Sequence, residues 1–136
     1  MTSGPGLQAY VLDTHALFWY WNRPASLSAA AQAAFGAIER GDALGLVPLL
    51  VVAELHYLSR RLRRVLSSLE LLGHIDQSPN LRLEPLARPH LLAFDRVLEI
   101  PEMHDRFIAA TSLVHDAPVI TRDPIIQAHP LVRTIW

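Results

Sequence analysis

The sequence predicts an α/β fold of three layers, with a short central parallel sheet and helices on both of its faces. Short apolar segments with the character of strands alternate along the chain with segments of helical character. This alternation favours parallel strands joined by right-handed helical crossovers, which cover both faces of the sheet. The 136 residues, of which 51% are hydrophobic, suit one domain, predicted over residues 8–136.

The composition excludes several classes of chemistry. All 12 basic residues are arginines, so a mechanism that needs a lysine is excluded, and the lack of cysteine excludes disulfides and thiolate zinc sites. The net charge of -1 gives no global signal for nucleic acid. The apolar runs are too short to span a bilayer, and residues 1–7 lack the regions of a signal peptide. We therefore expect a cytoplasmic protein with a disordered lead over residues 1–7.

In the first half of the chain, capping and breaking residues define the elements. Ser28 is a good N-cap and Gly41 suits the position after a helix, so they bound a helix between them. Pro48 suits the start of another helix. The predicted elements are a strand over residues 8–13, a helix over 14–21 with Thr14 as its candidate cap, a helix over 29–40, a strand over 43–47 and a helix over 49–59.

The second half continues the alternation of helices and strands. A helix follows the basic cluster Arg60–Arg64 and is predicted to end near Gly73, because glycine is unfavourable inside helices. The other predicted elements are a strand over residues 81–84, helices over 88–98 and 104–115, a strand over 117–121, a helical turn over 125–128 and an edge strand over 132–136.

Two carboxylates stand in apolar surroundings. Asp13 carries the only full charge between Leu7 and Trp21. Burying a lone carboxylate costs roughly several kcal/mol of folding free energy unless its charge is paired. Glu54 is the only acidic residue between residues 46 and 58, on the apolar stripe of its predicted helix. Taken singly, Asp13 also fits a helix cap, and Glu54 also fits the edge of the core.

Two further acids occupy positions with ordinary explanations of their own. Asp105 lies in the first turn of a predicted helix, where acids favour the helix dipole, and Asp123 precedes Pro124 in a turn. However, a parallel fold can bring Asp13, Glu54, Asp105 and Asp123 to one end of the sheet. Four carboxylates cannot share a pocket without neutralisation, and Mg²⁺ or Mn²⁺ provides it through oxygen ligands. The matching chemistry is metal-assisted phosphodiester hydrolysis.

Four segments of the chain resemble the motifs of PIN-domain nucleases, above all those of small VapC-type toxins. The resemblance spans residues 9–136, and its motifs occur in order with spacing similar to that of the family. The segments are Leu12-Asp13-Thr14-His15-Ala16-Leu17, Val52-Ala53-Glu54-Leu55, His104-Asp105-Arg106-Phe107-Ile108-Ala109-Ala110-Thr111 and Val119-Ile120-Thr121-Arg122-Asp123.

The resemblance implies a PIN-like fold and a Mg²⁺- or Mn²⁺-dependent endoribonuclease, the toxin of a type II toxin–antitoxin pair. It implies a structured RNA substrate such as tRNA or rRNA, a cognate antitoxin protein and a homodimer. It also assigns the site by position. The implied catalytic and metal-binding set is Asp13, Glu54, Asp105 and Asp123, with Thr14 and Thr121 as supporting hydroxyls.

Other side chains near the motifs have more than one interpretation. Arg106 and Arg122 adjoin proposed ligands, so we expect phosphate contacts or a supporting role there. The Arg60–Arg64 cluster fits RNA contacts, but a solvated face or an antitoxin contact fits it slightly better. Trp19, Tyr20 and Trp21 are expected in the core or a dimer interface rather than in a base-stacking platform, and His15 and His104 as packing or solvent-exposed residues.

Two rival functions remain open. An aspartate-dependent phosphatase would want a second carboxylate two residues after Asp13 and a nearby lysine. That position is His15, and the chain has no lysine. A non-catalytic PIN-like binding or scaffold protein is the second rival, and the presence of all four acids argues against it.

Overall fold

The structure is a computed structural model that describes residues 8–62 and 65–136. The predicted lead at residues 1–7 and the arginines at 63 and 64 lie outside this part. Five strands form one sheet in which every pair is parallel. They are β1 (Gln8–Leu12), β2 (Ala43–Pro48), β3 (Leu81–Glu84), β4 (Val119–Ile120) and β5 (Thr134–Ile135), in the order β3-β2-β1-β4-β5.

Seven α-helices of the described part cover the sheet. Together they form a three-layer α/β/α arrangement, which confirms the predicted fold class. No helix within residues 8–62 and 65–136 has both the length and the apolar character needed to cross a bilayer. The helices are α1 (Thr14–Asn22), α2 (Ala29–Arg40), α3 (Leu49–Arg61), α4 (Ser68–Asp76), α5 (Arg88–Phe94), α6 (Met103–His115) and α7 (Pro124–Ala128).

The central strands are buried on both faces, as expected for a covered parallel sheet. Val11 and Leu12 of β1 and Val47 of β2 are completely buried. Gly45 of β2 allows a close approach, because a Cβ there would lie 2.6 Å from the Leu81 side chain on β3. The glycine therefore lets β2 pack closely against β3, its partner in the sheet.

Several helix boundaries differ from the prediction. Helix α3 extends to Arg61, and the helix predicted over 88–98 is α5 to Phe94 followed by a 3₁₀ turn at Asp95–Val97. Asp13, not Thr14, caps α1, since its carboxylate accepts the Thr14 N–H. Helix α4 continues through Gly73 to Asp76 instead of ending there. The buried side chains Leu71 and Ile75 stabilise this turn of α4, and their burial outweighs the roughly 1 kcal/mol that a glycine costs inside a helix. By contrast, the boundaries predicted for α2 are confirmed.

The strand order places a topological switch beside β1. From β1 the sheet extends through β2 and β3 on one side and through β4 and β5 on the other. Asp13 N–H donates to the Ile120 carbonyl (3.2 Å), and Thr121 N–H donates to the Ile135 carbonyl (3.2 Å), so neighbouring strand ends are tied together. This is the position at which parallel α/β sheets bind their ligands.

Candidate metal centre

Asp13 lies at the centre of the carboxyl edge, directly after β1. The residue is only 8% exposed. Its Oδ1 accepts the Thr14 N–H at 2.7 Å, and its Oδ2 accepts the Thr121 hydroxyl at 2.5 Å. Asp13 is therefore both a helix cap and a carboxylate held in a fixed orientation at the switch point, and the two interpretations of the sequence are compatible.

Glu54 reaches the same region from the second turn of α3. Its Oε1 accepts the Thr14 hydroxyl at 2.7 Å, and its Oε2 lies 3.8 Å from Nδ1 of His104. Thr14 thus connects Asp13 to Glu54, because its N–H binds one carboxylate and its hydroxyl binds the other. Glu54 is half-buried and is oriented by these contacts toward the edge of the sheet.

Asp105 and Asp123 complete the set, and they are held very differently. Asp123 caps α7 by accepting the N–H groups of Ile125 (2.8 Å) and Ile126 (3.3 Å), and its own N–H donates to the Thr121 hydroxyl. Asp105 is the third residue of α6, and its carboxylate has no hydrogen bond or ion pair with any residue in 8–62 or 65–136. The fold therefore brings all four predicted acids to one cleft.

The cleft has a volume of about 390 Å³ and combines acids with an indole and a guanidinium. We call its four acids the acidic pocket. The residues that line the cleft are Asp13, Thr14, His15, Trp19, Glu54, Asp105, Arg122, Asp123 and Pro124.

Burial and mutual repulsion shift the titration of the acidic pocket. Burial, followed by the charges of Asp123 and Asp13 and then of Glu102 and Glu54, raises the pKa of Asp105 to about 7. Burial is also the main reason why the pKa of Asp13 and of Glu54 is raised, although hydrogen bonds oppose it at both residues. In the metal-free protein, neighbouring positive groups balance the negative charge of these carboxylates only in part.

The donor set fits a hard divalent cation. The groups that face the cleft from the four acids are carboxylate oxygens, and Thr14 and Thr121 add hydroxyls that hold them in place. Among the described residues, no arginine forms an ion pair with any of the four acids. Mg²⁺ and Mn²⁺ prefer oxygen ligands of this kind, and either ion would compensate the charge that the protein leaves unbalanced.

Glu102 and His104 border the site but were not among the residues predicted to form it. The ligand atoms of Glu54, Glu102 and His104 lie within 4.8 Å of one another. Glu102 is the N-cap of α6 and also accepts from Nδ1 of His104 at 2.7 Å. Although burial lowers the pKa of His104, the hydrogen bond to Glu102 and the charge of Glu54 raise it above its usual range. Glutamate is not a favoured N-cap, so only the preceding Pro101 indicated where α6 begins.

The two arginines adjoining predicted ligands have separate positions. Arg122 lines the cleft, and its guanidinium lies 4.7 Å from the centre of the Trp19 ring. Arg106 lies over Phe94 and donates to the carbonyls of Ile100 (2.6 Å) and Leu98 (3.3 Å). The expected phosphate contact of Arg106 is therefore not supported, since these bonds hold its guanidinium against the segment before α6.

The aromatic residues of α1 also have separate environments. Tyr20 stacks on Phe35 with 4.2 Å between the ring centres, and the Trp21 ring lies beside that of His74. Trp19 packs partly against the core but also lines the cleft, a position that the sequence did not indicate. In the basic cluster, Arg60 and Arg61 are exposed, and Arg61 shares a smaller pocket with Glu54 and His104.

A second group of titratable side chains lies at the end of β3. We call Glu84, His90 and His115 the Glu84 cluster. Glu84 Oε2 accepts from Nε2 of His90 (2.9 Å) and from Nε2 of His115. His90 Nδ1 accepts the N–H of Ala87 (3.1 Å), so its proton is on Nε2 and points at Glu84. His90 cannot offer Nε2 to a metal while these bonds persist. The hydrogen bonds of Glu84 and His90 are therefore made within the protein.

Comparisons with known proteins agree with this geometry. The model of the PIN domain matches residues 10–130, whereas no curated protein has significant sequence similarity to the chain. The fold is similar to that of VapBC2 from Rickettsia felis bound to a DNA fragment from their promoter, with a TM-score of 0.71 and 13% identity over 93% of this chain and 97% of that chain.

Two other solved structures have the same fold. One is a toxin–antitoxin complex from Klebsiella pneumoniae, with a TM-score of 0.61 and 17% identity over 90% of this chain and 94% of that chain. The other is FitAcB from Neisseria gonorrhoeae, with a TM-score of 0.60 and 21% identity over 92% of this chain and 95% of that chain. PIN domains are nucleases that generally use divalent metals. Because the PIN domain model covers residues 10–130 of the 136, the chain belongs to the PIN domain family.

Proposed function

We propose that the protein is a Mg²⁺- or Mn²⁺-dependent endoribonuclease and the toxin of a type II toxin–antitoxin pair. The observation that carries this proposal is the acidic pocket at the switch point of the sheet. Its carboxylates line one cleft without an arginine partner in the described part of the chain, and the pKa of Asp105 is raised to about 7. A protein that left this charge unbalanced for a structural purpose would lose stability without gain.

The proposed catalytic set is Asp13, Glu54, Asp105 and Asp123, which would hold the cation. When bound, the cation supplies an activated water and stabilises the leaving oxygen of a phosphodiester. Thr121 and Thr14 act on the ligands themselves, because their hydroxyls fix the carboxylates of Asp13 and Glu54. Such supporting hydrogen bonds set the orientation of metal ligands.

Arginines supply the contacts that an acidic site lacks for a negatively charged substrate. Arg122 is exposed in the cleft and has no hydrogen bond or ion pair with the described residues, so its N–H donors are available to phosphate oxygens. Arg61 also has no such partner and lies beside Glu54 in the adjoining pocket. Together they would position a phosphate near the carboxylates.

The toxin assignment is supported by the fold comparison. The matched structures are described as VapBC2, a toxin–antitoxin complex and FitAcB. We therefore propose a cognate antitoxin as a partner of this chain. A structured RNA such as tRNA or rRNA as the substrate, and a homodimer as the assembly, remain predictions from the resemblance of the motifs. Co-expression with the product of a neighbouring short gene, followed by co-purification, tests the partner.

The activity is tested with purified protein and total RNA in Mg²⁺, Mn²⁺ or EDTA. We expect cleavage with either metal, no cleavage in EDTA, and loss of cleavage in Asp13→Asn and Glu54→Gln. Glu84→Gln is the matched control, since it neutralises a carboxylate outside the acidic pocket and should leave cleavage unchanged. Cleavage in EDTA, or full activity of both pocket variants, would contradict the mechanism.

A further inference from the structure

The cleft has an aromatic wall in addition to its acids. Trp19 and Arg122 line it together, with the guanidinium 4.7 Å from the centre of the indole ring. His15 precedes Trp19 by four residues on α1, so the two share a helix face, and their rings lie 5.5 Å apart. The indole offers no oxygen ligand to Mg²⁺ or Mn²⁺, so a metal site alone does not explain this wall.

The position of Trp19 is fixed while the outer face of Arg122 stays accessible. Trp19 is half-buried, and its ring centre lies 5.7 Å from that of Trp136, so the packing limits its movement. Arg122 is exposed and is held in the described structure by Trp19 alone, since no acid or carbonyl binds its guanidinium. The guanidinium carbon lies over the indole ring, so the exposed surface of Arg122 faces away from Trp19. Its N–H groups have no hydrogen-bond partner among the described residues.

We propose that Trp19 and Arg122 form a nucleobase subsite. An unpaired base next to the scissile phosphate stacks on the free face of Arg122, which Trp19 supports, and the guanidinium edge donates to the phosphate. Arginine planes and aromatic rings are the usual stacking partners of bases splayed out of single-stranded RNA. A base inside a duplex has no free face, so the subsite selects nucleotides in loops, ends or single strands. The inference rests on the proposed nuclease function, to which it adds a base-binding subsite formed by these two residues.

Binding of labelled RNA tests the subsite apart from turnover. The probe is a fluorescein-labelled, mixed-sequence single-stranded RNA, measured by anisotropy with Ca²⁺ in place of Mg²⁺ and with the RNA checked by gel. Trp19→Leu keeps apolar bulk but removes the ring that holds Arg122 in place, and we expect it to weaken binding by up to the roughly 5- to 150-fold that loss of a stacked base costs. Trp19→Phe should bind within about threefold of the wild type, since it keeps an aromatic face.

Two controls separate stacking from folding and from charge. Trp21→Leu alters the same helix outside the cleft and should bind like the wild type. An abasic ribose-phosphate oligomer should bind the wild type and Trp19→Leu equally, because it has nothing to stack. If Trp19→Leu loses its helical circular dichroism, Arg122→Lys serves instead. It keeps the charge of an exposed residue but loses the planar face, and it should also weaken binding.

The outcomes distinguish the subsite from the nuclease proposal. Unchanged single-strand binding by folded Trp19→Leu and by Arg122→Lys, or equal binding of a duplex, overturns the subsite even where the wild type cleaves RNA. Conversely, binding that depends on Trp19, in a protein that cleaves no RNA with Mg²⁺ or Mn²⁺, supports the subsite and overturns the nuclease proposal.

Discussion

The acidic pocket and the Glu84 cluster are both convergences of titratable side chains from distant parts of the chain, but they differ in their charge balance. In the Glu84 cluster, one carboxylate accepts from two imidazoles, and the buried His90 (3% exposed) has both ring nitrogens bonded. In the acidic pocket, four carboxylates meet hydroxyls and backbone N–H groups, with His104 beside Glu54 as the only nearby base that forms an ion pair within the described residues.

This difference indicates which cluster binds a ligand. A group whose hydrogen bonds are complete within the protein stabilises the fold and gains nothing from an added ion. A group that leaves like charges together raises the pKa of its members and gains most from a cation. The two clusters should therefore respond in opposite ways to the same chemical change.

The largest expected effect is the loss of function in Asp13→Asn. This change removes the central charge of the acidic pocket but keeps the shape of the side chain. Removing a residue that supports a metal ligand typically lowers affinity or activity about 10- to 100-fold. Because Asp13 is a proposed ligand, we expect Asp13→Asn to lower both Mn²⁺ affinity and RNA cleavage more than about 100-fold. Isothermal titration and single-turnover cleavage measure the two effects.

A smaller loss is expected for Thr121→Val. The Thr121 hydroxyl donates to Asp13 and accepts from the Asp123 N–H, so its removal leaves both acids in place but less well oriented. We expect metal affinity to fall roughly 10- to 100-fold. The Glu84→Gln variant, measured in parallel, should bind the metal as tightly as the wild type. Equal affinities of Thr121→Val and the wild type would show that the hydroxyl does not position Asp13.

Neutralising one carboxylate should change stability with opposite signs in the two clusters. In the metal-free protein at pH 8, Asp105→Asn removes a half-buried charge and its repulsion with the other acids, and should add about 1–2 kcal/mol, a value reduced for the partial exposure of the carboxyl. Glu84→Gln leaves an imidazole without its acceptor and should cost about 1–3 kcal/mol. Urea unfolding in EDTA measures both. A loss in Asp105→Asn would mean that its charge is already compensated.

The smallest effect is a dependence of metal-free stability on pH. Between about pH 4 and pH 7, native Asp105 keeps a proton that the unfolded chain has released, so the unfolding free energy should fall as the pH rises. The raised pKa values of Asp13 and Glu54 act in the same direction. Asp105→Asn should flatten this slope, and saturating Mg²⁺ should abolish it, because the cation keeps these acids deprotonated in the native state as they are in the unfolded chain. Thermal melts across this range, with and without Mg²⁺, test the sign.

The sequence predicted the acidic pocket because two of its acids stand alone in apolar segments. Asp13 and Glu54 had no local partner, and the alternation of strands and helices indicated that the carboxyl ends would meet. Asp123 proved to be a cap as well as a member of the pocket. Asp105 is not a cap, because Glu102 occupies that position. A first-turn acid alone does not distinguish these roles.

Other features depended on directions and contacts that the sequence does not contain. Arg106 and Arg122 each adjoin a predicted ligand, but successive residues of a helix point about 100° apart, and Arg106 therefore turns away toward Leu98 and Ile100. Trp19 resembles a core residue in sequence, and only its place beside Arg122 shows that it lines the cleft. The Glu84 cluster joins residues 31 positions apart, and no local pattern indicated it.

Binding of Mn²⁺ to the metal-free protein tests the central claim most directly. Isothermal titration near pH 8 should show saturable binding to the wild type and to Glu84→Gln, and a loss of more than about 100-fold in Asp13→Asn. No binding to the wild type, or wild-type affinity in Asp13→Asn together with loss in Glu84→Gln, would contradict the assignment of the metal to the acidic pocket.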